Sequence, residues 1–210
     1  MTPRIHEMAI VEADVTIGED STVWDNAHIR RGASIGAGCI IGDKAYVGPG
    51  VVIDDLVKLN TSVYLCSGVS IGRGAMISAH VVFTNDRFPR ATDPELESLR
   101  SSLPDDSTVE TRVGEGATIG AASVIGPGAH IGRFAMVGMG SVVTRPVGDF
   151  HLSIGSPSRT VGYVCRCGHR IAGLEASGTK VLPVSCSVCG RKYTIGEGVV
   201  REDSNGPLSP

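Results

Sequence analysis

Aromatic side chains are scarce in this chain of 210 residues, of which only 4% are Phe, Trp or Tyr. A core built mainly on large rings is therefore not expected. Glycine is abundant, with 28 residues, but it does not recur at every third position, which excludes a collagen triple helix. The chain also lacks an excess of positive charge. Its net charge is -3, so no overall positive field recruits nucleic acid.

Long apolar runs are absent as well, because no uninterrupted stretch approaches the 18 residues of a membrane span. The first residues include Arg4, His6 and Glu7 and lack the apolar centre of a signal peptide. We therefore expect a cytoplasmic protein without a membrane span. In that compartment the six cysteines are expected to be thiols or metal ligands rather than disulfides.

An apolar residue recurs at every sixth position, from Val11 to Phe83 and again from Val113 to Val143. A second column, two residues earlier in each repeat, carries small side chains. A period of six fits neither an α-helix nor a hairpin, and it indicates short strands joined by tight corners, the hexapeptide class of β-solenoid. Glycine often follows the apolar residue, and we expect these glycines to adopt positive φ at the corners.

The repeat resembles the left-handed parallel β-helix of the hexapeptide-repeat acyltransferases. In that family three hexapeptides form one coil, so the nineteen repeats here imply a little over six coils. The handedness is implied by the resemblance alone. We expect an all-β chain with a β-helix domain over residues 9–161, a small annex over residues 162–200, and a disordered tail over residues 201–210.

The repeat is interrupted over residues 84–112. The positions that would continue the apolar column are Pro89, Glu95, Ser101 and Ser107, none of which is apolar. The spacing of 30 residues between Phe83 and Val113 equals five hexapeptides, so the register is expected to survive. The segment is either a tolerated insertion or a functional loop, because long excursions from a regular scaffold often carry function.

The sequence V-F-T-N-D-R-F-P-R-A over residues 82–91 resembles the signature of sugar N-acetyltransferases. These enzymes transfer acetyl from acetyl-CoA to the 3-amino group of a nucleotide-linked amino sugar. Members of the UDP-2-acetamido-3-amino-glucuronate type serve surface polysaccharide synthesis. The sequence G-S-P-S-R over residues 155–159 resembles an element that closes many such β-helices. The resemblance implies a homotrimer with each active site between two neighbouring subunits.

Acetyl transfer to an amine needs a neutral amine and a proton acceptor. His80 lies five residues before Asn85, at the start of the interruption, and is the candidate base or proton relay. The alternative is substrate-assisted transfer, in which the thiolate or the substrate itself takes the proton. The Asn85 amide is the candidate group that orients the sugar amine. Arg87 and Arg90 are candidates for binding the sugar carboxylate or the diphosphate.

The resemblance also implies where coenzyme A would lie. Its pantetheine arm is expected along the C-terminal coils, hydrogen bonded to the backbone near Gly120, Gly138 and Ser141. Arg145 and Arg159 are candidates for its phosphates.

Two cysteine pairs follow the repeat. Cys165 and Cys167 form the first pair, Cys186 and Cys189 form the second, and Gly follows each pair. This pattern predicts a zinc ribbon, in which tight turns present four thiolates to one ion. Such a site would be structural, because four cysteine ligands leave no position open for water. Four free thiols, or two disulfides, are the alternatives. A set of related acyltransferases carries a similar tail.

Two other functions are compatible with a β-helix. A γ-class carbonic anhydrase holds its catalytic metal with three histidines and carries an H-x4-H pair, but no two histidines here are five residues apart. A non-catalytic scaffold with a partner-binding zinc annex is the second alternative. Such a scaffold would not need the signature of residues 84–91, so the N-acetyltransferase remains the favoured prediction.

Overall fold

A computed structural model describes residues 1–101 and 108–203. Its repeat consists of strands of two or three residues separated by turns, and strands of four to six residues occur only after the repeat ends. A single short 3-10 helix, Leu174–Ser177, interrupts the described strands. The strands are β1 (Arg4–Ile5), β2 (Ile10–Val11), β3 (Thr16–Ile17), β4 (Thr22–Val23), β5 (His28–Ile29), β6 (Ser34–Ile35), β7 (Ile40–Ile41), β8 (Tyr46–Val47), β9 (Val52–Ile53), β10 (Lys58–Leu59), β11 (Tyr64–Leu65), β12 (Val69–Ile71), β13 (Met76–Ile77), β14 (Val82–Phe83), β15 (Thr111–Val113), β16 (Thr118–Ile119), β17 (Val124–Ile125), β18 (His130–Ile131), β19 (Met136–Val137), β20 (Val142–Val143), β21 (His151–Ile154), β22 (Arg159–Val164), β23 (Arg170–Gly173), β24 (Leu182–Ser185), β25 (Lys192–Gly196) and β26 (Val199–Glu202).

Consecutive strands of the repeat join three different parallel sheets in turn. Sheet A contains β1, β4 and every third strand to β19, followed by β21; sheet B runs from β2 to β20, and sheet C from β3 to β18. Outside the interruption paired residues are 18 positions apart, as Thr22 and Ile40 are, except at the last coil, where Met136 pairs with Leu152 at a spacing of 16. The parallel β-solenoid of the sequence analysis is confirmed. Sheet A, the longest, has eight parallel rungs, because β1 and β21 add one rung at each end of the counted repeats.

The apolar column fills the interior of the solenoid. From Val23 to Val143 its side chains are no more than 3% exposed, and the column of small residues beside it is equally buried. The N-terminal end is different. Val11 is 36% exposed, because no coil stacks below the first turn. The core is therefore continuous along the axis, and it depends on a neighbouring coil on each side.

The glycines that follow the apolar column do not have the predicted positive φ. Positive φ occurs two residues further on, at Gly38 for example, where φ is 66°. The column glycines are required by close approach instead. A Cβ built on Gly36 would lie 2.5 Å from the backbone nitrogen of Asp55, and one on Gly42 would lie 2.6 Å from the carbonyl carbon of Asn60. Each contact is with the next coil.

The interruption leaves the register intact, as predicted. Val69 pairs with Thr111 and Ile71 with Val113, so β15 stacks directly on β12. β15 begins at Thr111, so the inserted segment ends two residues before the predicted limit of 112. The segment leaves the solenoid between sheet B and sheet C and returns to the same corner. Residues 102–107, including Ser107, lie outside the described residues.

The annex is built directly on the last coil. β22 pairs with β21 and crosses the predicted boundary between residues 161 and 162, and β23 pairs with β22. The ring of Phe150 stacks on Phe134 at 5.4 Å and contacts Tyr193 edge-on at 5.5 Å. These rings join the annex to the solenoid in one apolar cluster.

The predicted disordered tail over residues 201–210 is wrong at its start, because β26 extends to Glu202 and pairs with β25. Residues 204–210 lie outside the described residues. In the parts of the chain that the structure describes, no helix is long and apolar enough to cross a membrane.

The two classes of glycine predict different responses to substitution. Gly42→Ala should lower the free energy of unfolding by about 3 kcal/mol, the upper end for overpacking, because its Cβ would meet backbone that cannot move without separating two coils. Gly50 has φ of 65° and no atom within 4 Å of its Cβ position. Since Asn tolerates this conformation, Gly50→Asn should change stability by less than about 0.5 kcal/mol. Thermal unfolding of both variants tests this, and equal shifts would contradict it.

Candidate active site and metal centre

His80 lies on the edge where sheets A and B meet, which is called the A–B edge below. Its φ is 60°, and its side chain is exposed. The backbone N–H of His80 donates to the carbonyl oxygen of Thr61 at 3.1 Å, and that of Ala122 donates to Ala79 at 2.9 Å. These bonds stack the corners of successive coils. The A–B edge is therefore a continuous ridge of backbone along the solenoid, with the His80 imidazole projecting from it.

Two of the predicted coenzyme A positions lie on the same edge. Gly120 and Gly138 begin the next two corners, and Gly140 donates its N–H to Ala121 at 2.8 Å. The Ser141 side chain is fully buried, donates to the Gly138 carbonyl at 2.7 Å and accepts from a backbone N–H. The Ser141 hydroxyl is therefore committed inside the coil and is not available to a ligand.

Asn85 lies on the opposite side of sheet B, at the edge shared with sheet C, the B–C edge. Its Nδ2 donates to the Ser67 carbonyl at 3.1 Å, and its own carbonyl accepts from Val109 at 3.2 Å. No described residue donates to Oδ1. The Asn85 side-chain amide is thus anchored through Nδ2, while its Oδ1 is left without a donor among the described residues. Arg87 lies on the same edge, since a Cβ on Gly128 would be 3.1 Å from its guanidinium.

The structure does not bring His80 and Asn85 together within one chain. They lie at opposite ends of strand β14, on the two edges that bound sheet B. Arg145 follows β20 and lies on the B–C edge, away from the predicted coenzyme A backbone. The exposed Arg90 and Arg159 each donate to a backbone carbonyl at 2.9 and 2.8 Å. The predicted residues therefore form two groups separated by the width of sheet B.

Sheet B carries a polar network that the sequence reasoning missed. Glu12 accepts from His28 at 3.0 Å and from Arg30 at 2.6 Å, and Arg30 also donates to the Tyr46 hydroxyl at 2.7 Å. The backbone N–H of Arg31 is the largest factor that lowers the pKa of Glu12, and the His28 and Arg30 hydrogen bonds reinforce it. These residues come from neighbouring rungs 16–18 positions apart, so only the coil stacking reveals the network.

The four cysteines of the annex converge. The sulfur atoms of Cys165, Cys167, Cys186 and Cys189 all lie within 4.8 Å of one another and form no disulfide. Two of the Sγ–Sγ distances are 3.3 and 3.6 Å. A tetrahedral zinc with Zn–S bonds of about 2.3 Å places its sulfurs about 3.8 Å apart. The four side chains therefore fit a tetrahedral zinc ion.

The cysteines of this cluster differ in pKa, because burial raises the pKa of the Cys165 thiol to about 12 and also raises that of Cys167. The Tyr193 hydroxyl lies 3.1 Å from the Cys165 sulfur and accepts from the backbone N–H of Arg166 at 3.1 Å. Burial opposes ionisation of Cys186, but hydrogen bonds led by the Cys189 amide lower its pKa to about 6. The chemistry of the donor set is that of a soft metal site.

Family comparisons agree with the solenoid. Residues 110–145 match the family described as bacterial transferase hexapeptide (six repeats), and residues 8–55 match the hexapeptide repeat of succinyl-transferase. These matches lie on either side of the inserted segment. In these two stretches the chain is therefore similar to hexapeptide-repeat transferases.

One curated enzyme is similar to part of the chain. Over 92 residues the chain is 37% identical to dTDP-3-amino-3,6-dideoxy-alpha-D-galactopyranose 3-N-acetyltransferase of Aneurinibacillus thermoaerophilus. The alignment covers 44% of each protein, so the chain matches less than half of the relative's length.

Solved structures share the fold. A variant of AntD, an N-acyltransferase from Bacillus cereus in complex with dTDP-4-amino-4,6-dideoxyglucose and coenzyme A, has a TM-score of 0.60. It is 21% identical, with 71% of this chain and 83% of AntD covered. A second AntD variant, bound to dTDP and coenzyme A, has the same TM-score of 0.60 at 24% identity, with coverage of 72% and 85%.

The metal site predicts that the native protein carries about one zinc per chain. Cys189→Ser should abolish zinc binding and make the annex sensitive to proteolysis, because so small an annex has too little apolar core to fold without a bound metal. The solenoid should keep its β-sheet circular dichroism. Cys66→Ala is the matched control, since Cys66 is buried in the solenoid, away from the cluster. Native protein with disulfides and almost no zinc would contradict the prediction.

Proposed function

We propose that the protein is an acetyl-CoA-dependent N-acetyltransferase that acetylates the amino group of a nucleotide-linked amino sugar for surface polysaccharide or glycan synthesis. The observation that carries this proposal is Asn85, held at Nδ2 by Ser67 with Oδ1 available on the B–C edge. It lies within the signature of residues 82–91. The activity of the curated relative and the ligands of the AntD structure support the same reaction class.

In the proposed reaction, Asn85 Oδ1 accepts an N–H of the sugar amine. This fixes the direction of the nitrogen lone pair, which attacks the thioester carbonyl carbon. The new C–N bond forms, the C–S bond breaks, and coenzyme A leaves as the thiolate. A small displacement of an attacking atom can cost about a hundredfold in rate, so an anchored amide is an effective positioning group.

The amine proton is taken by His80 in this proposal, directly or through a relay. The imidazole projects from the edge along which the coenzyme A arm would lie, with backbone of the Gly120 and Gly138 corners as hydrogen-bond partners. Arg159 would bind a coenzyme A phosphate from the same side, and Arg145 would do so from the B–C edge. Arg87 and Arg90 would bind the sugar nucleotide.

A homotrimer would complete the site, with each active site between two subunits. The outward face of sheet B, between the two edges, is apolar: Tyr64 is 43% exposed, Val82 36% and Val124 37%. Glu12 and Arg30 form an ion pair within one chain. This pairing reduces the desolvation cost of covering the face of sheet B with another subunit. A second subunit packed against sheet B would place one edge of its own solenoid beside His80 or Asn85. This arrangement would join the two groups that one chain keeps apart.

Structural zinc and a cytoplasmic location belong to the same proposal. Four thiolates fill a tetrahedron and leave no position for a reacting water, so the ion would stabilise the annex only. Free thiolates persist in a reducing compartment.

The alternative functions have less support. A γ-carbonic anhydrase needs three histidines around one metal. In residues 1–101 and 108–203 the annex cysteines are the one group of three or more His, Cys, Asp or Glu side chains that could hold a metal. A scaffold would not require the anchored Asn85.

The proposed interface predicts that the native protein has about three times the 21.8-kDa mass of one chain by light scattering. Val124→Asp should reduce this to a single chain, because it places a charge in the apolar row of sheet B. Thr118→Asp, on the outward face of sheet A, is the control and should leave the mass unchanged. A native protein that scatters as a monomer would contradict the trimer.

Release of the coenzyme A thiol, measured with a panel of nucleotide amino sugars, tests the reaction. Asn85→Ala should lower turnover about 100-fold while coenzyme A still binds, because the amine loses its orienting acceptor. His80→Ala should lower turnover by about 10²–10⁴ and change the acid limb of the pH profile, of which only the contribution of the substrate amine would remain.

His130→Ala is the matched control, since that exposed imidazole lies on sheet C. A His80→Ala enzyme within about tenfold of the native rate, with the acid limb intact, would exclude His80 as the base. Substrate-assisted transfer would then be the better mechanism. Absence of acetylation with every sugar of the panel would contradict the proposed function itself.

A further inference from the structure

The inserted segment contains a small closed hairpin over residues 91–100. Thr92 and Leu99 form an antiparallel bridge, and Arg100 donates its N–H to Ala91 at 3.0 Å. The Asp93 carboxylate closes the turn by accepting from the Glu97 backbone at 2.9 Å. The insertion is therefore locally ordered, and the two ends of the hairpin lie side by side.

This closure places two arginines around one cleft. The cleft has a volume of about 550 Å³. It is lined by Arg90, Thr92, Asp93, Pro94, Leu96 and Arg100. The signature identified Arg90, but Arg100 lies nine residues beyond its end and joins the cleft only because the hairpin folds back.

The two arginines of the cleft outnumber its one acid, Asp93. Neither Arg90 nor Arg100 forms an ion pair with a carboxylate in the described part of the chain, whereas Arg73 and Arg133 elsewhere do. The acid in the cleft, Asp93, already receives the Ser98 hydroxyl and the Glu97 amide, which together lower its pKa. The lining therefore carries a net positive charge from two arginines, an arrangement suited to an anion with several oxygens.

We propose that Arg100 acts with Arg90 as a two-arginine clamp for the diphosphate of the nucleotide-linked sugar. The inference rests on the proposed function and adds a binding residue to its site. A planar guanidinium donates in a fork that matches phosphate oxygens, so two of them can hold both phosphates in one orientation. Asn85 lies in the second position of the insertion, so a sugar nucleotide held in the cleft is anchored on the same segment as the residue that orients its amine.

The diphosphate of coenzyme A has the same chemistry, so the experiment must separate the two sources. Calorimetric titration of the full chain with dTDP, UDP and GDP, and separately with coenzyme A, does so. Arg100→Ala should weaken the preferred nucleoside diphosphate by about 10- to 100-fold and leave coenzyme A affinity unchanged. Arg100→Lys should give an intermediate loss, because it keeps the charge but not the fork. Arg90→Ala should resemble Arg100→Ala.

Leu99→Ala is the matched control. It changes the neighbouring exposed side chain of the same hairpin without altering charge, and nucleotide affinity should stay native. An equal loss in Leu99→Ala would show that hairpin integrity is responsible, and would overturn the clamp. Unchanged nucleotide affinity in Arg100→Ala, weakened coenzyme A binding instead, or no binding of any nucleoside diphosphate by the native chain would also overturn it.

Turnover distinguishes failure of this inference from failure of the proposed function. If the native enzyme acetylates an amino sugar and Arg100→Ala leaves its KM unchanged, the clamp is wrong and the function stands. If a nucleoside diphosphate binds through Arg100 but no amino sugar is acetylated, the clamp stands and the function is wrong. The KM for acetyl-CoA should be native in Arg100→Ala, as expected for a residue that contacts only the sugar nucleotide.

Discussion

The spacing between coils, about 4.8 Å for paired parallel strands, is the constraint on which the rest of this protein depends. Backbone N–H groups of one coil donate to carbonyls of the next along three sheets, so residues 18 positions apart are stacked. Inward side chains must then fill a narrow interior, where branched and small residues alternate. The same spacing leaves no room for a Cβ at Gly36, which approaches the backbone of Asp55.

This regularity determines where chemistry can be placed. Inward positions are occupied by the core, and two-residue strands offer one outward side chain each. The corners therefore carry the groups that can vary without breaking the ladder. His80 projects from one edge of sheet B, and Asn85 is anchored on the other. The inserted segment leaves from the Asn85 corner and returns in register, so it adds surface without disturbing the stack.

The annex packs on the C-terminal end of the solenoid. Its strands β22 and β23 extend sheet A by antiparallel pairing, and the Phe150 and Tyr193 rings join its core to the last coil. Arg166 lies over the Phe134 ring at 4.3 Å and also approaches Glu202 of the annex at 3.4 Å, which reinforces that junction. The cysteine cluster adjoins these contacts, because Cys165 and Cys186 belong to the same apolar cluster as Phe150 and Tyr193. A metal there would reinforce the aromatic packing of the annex.

The amino-acid sequence by itself determined the solenoid, its register across the interruption, and the convergence of the four cysteines. A period of six and paired cysteines leave few structures that bury the right side chains. Patterns among residues close in the sequence could not show why position 36 is glycine, because the backbone that a Cβ there would meet belongs to Asp55, 19 residues away. Nor could they show the Glu12–His28–Arg30 network, the burial of Ser141 or the position of Arg100 beside Arg90. Those depend on which corners stack and how the insertion folds back, and only the tertiary structure brings such distant residues into contact.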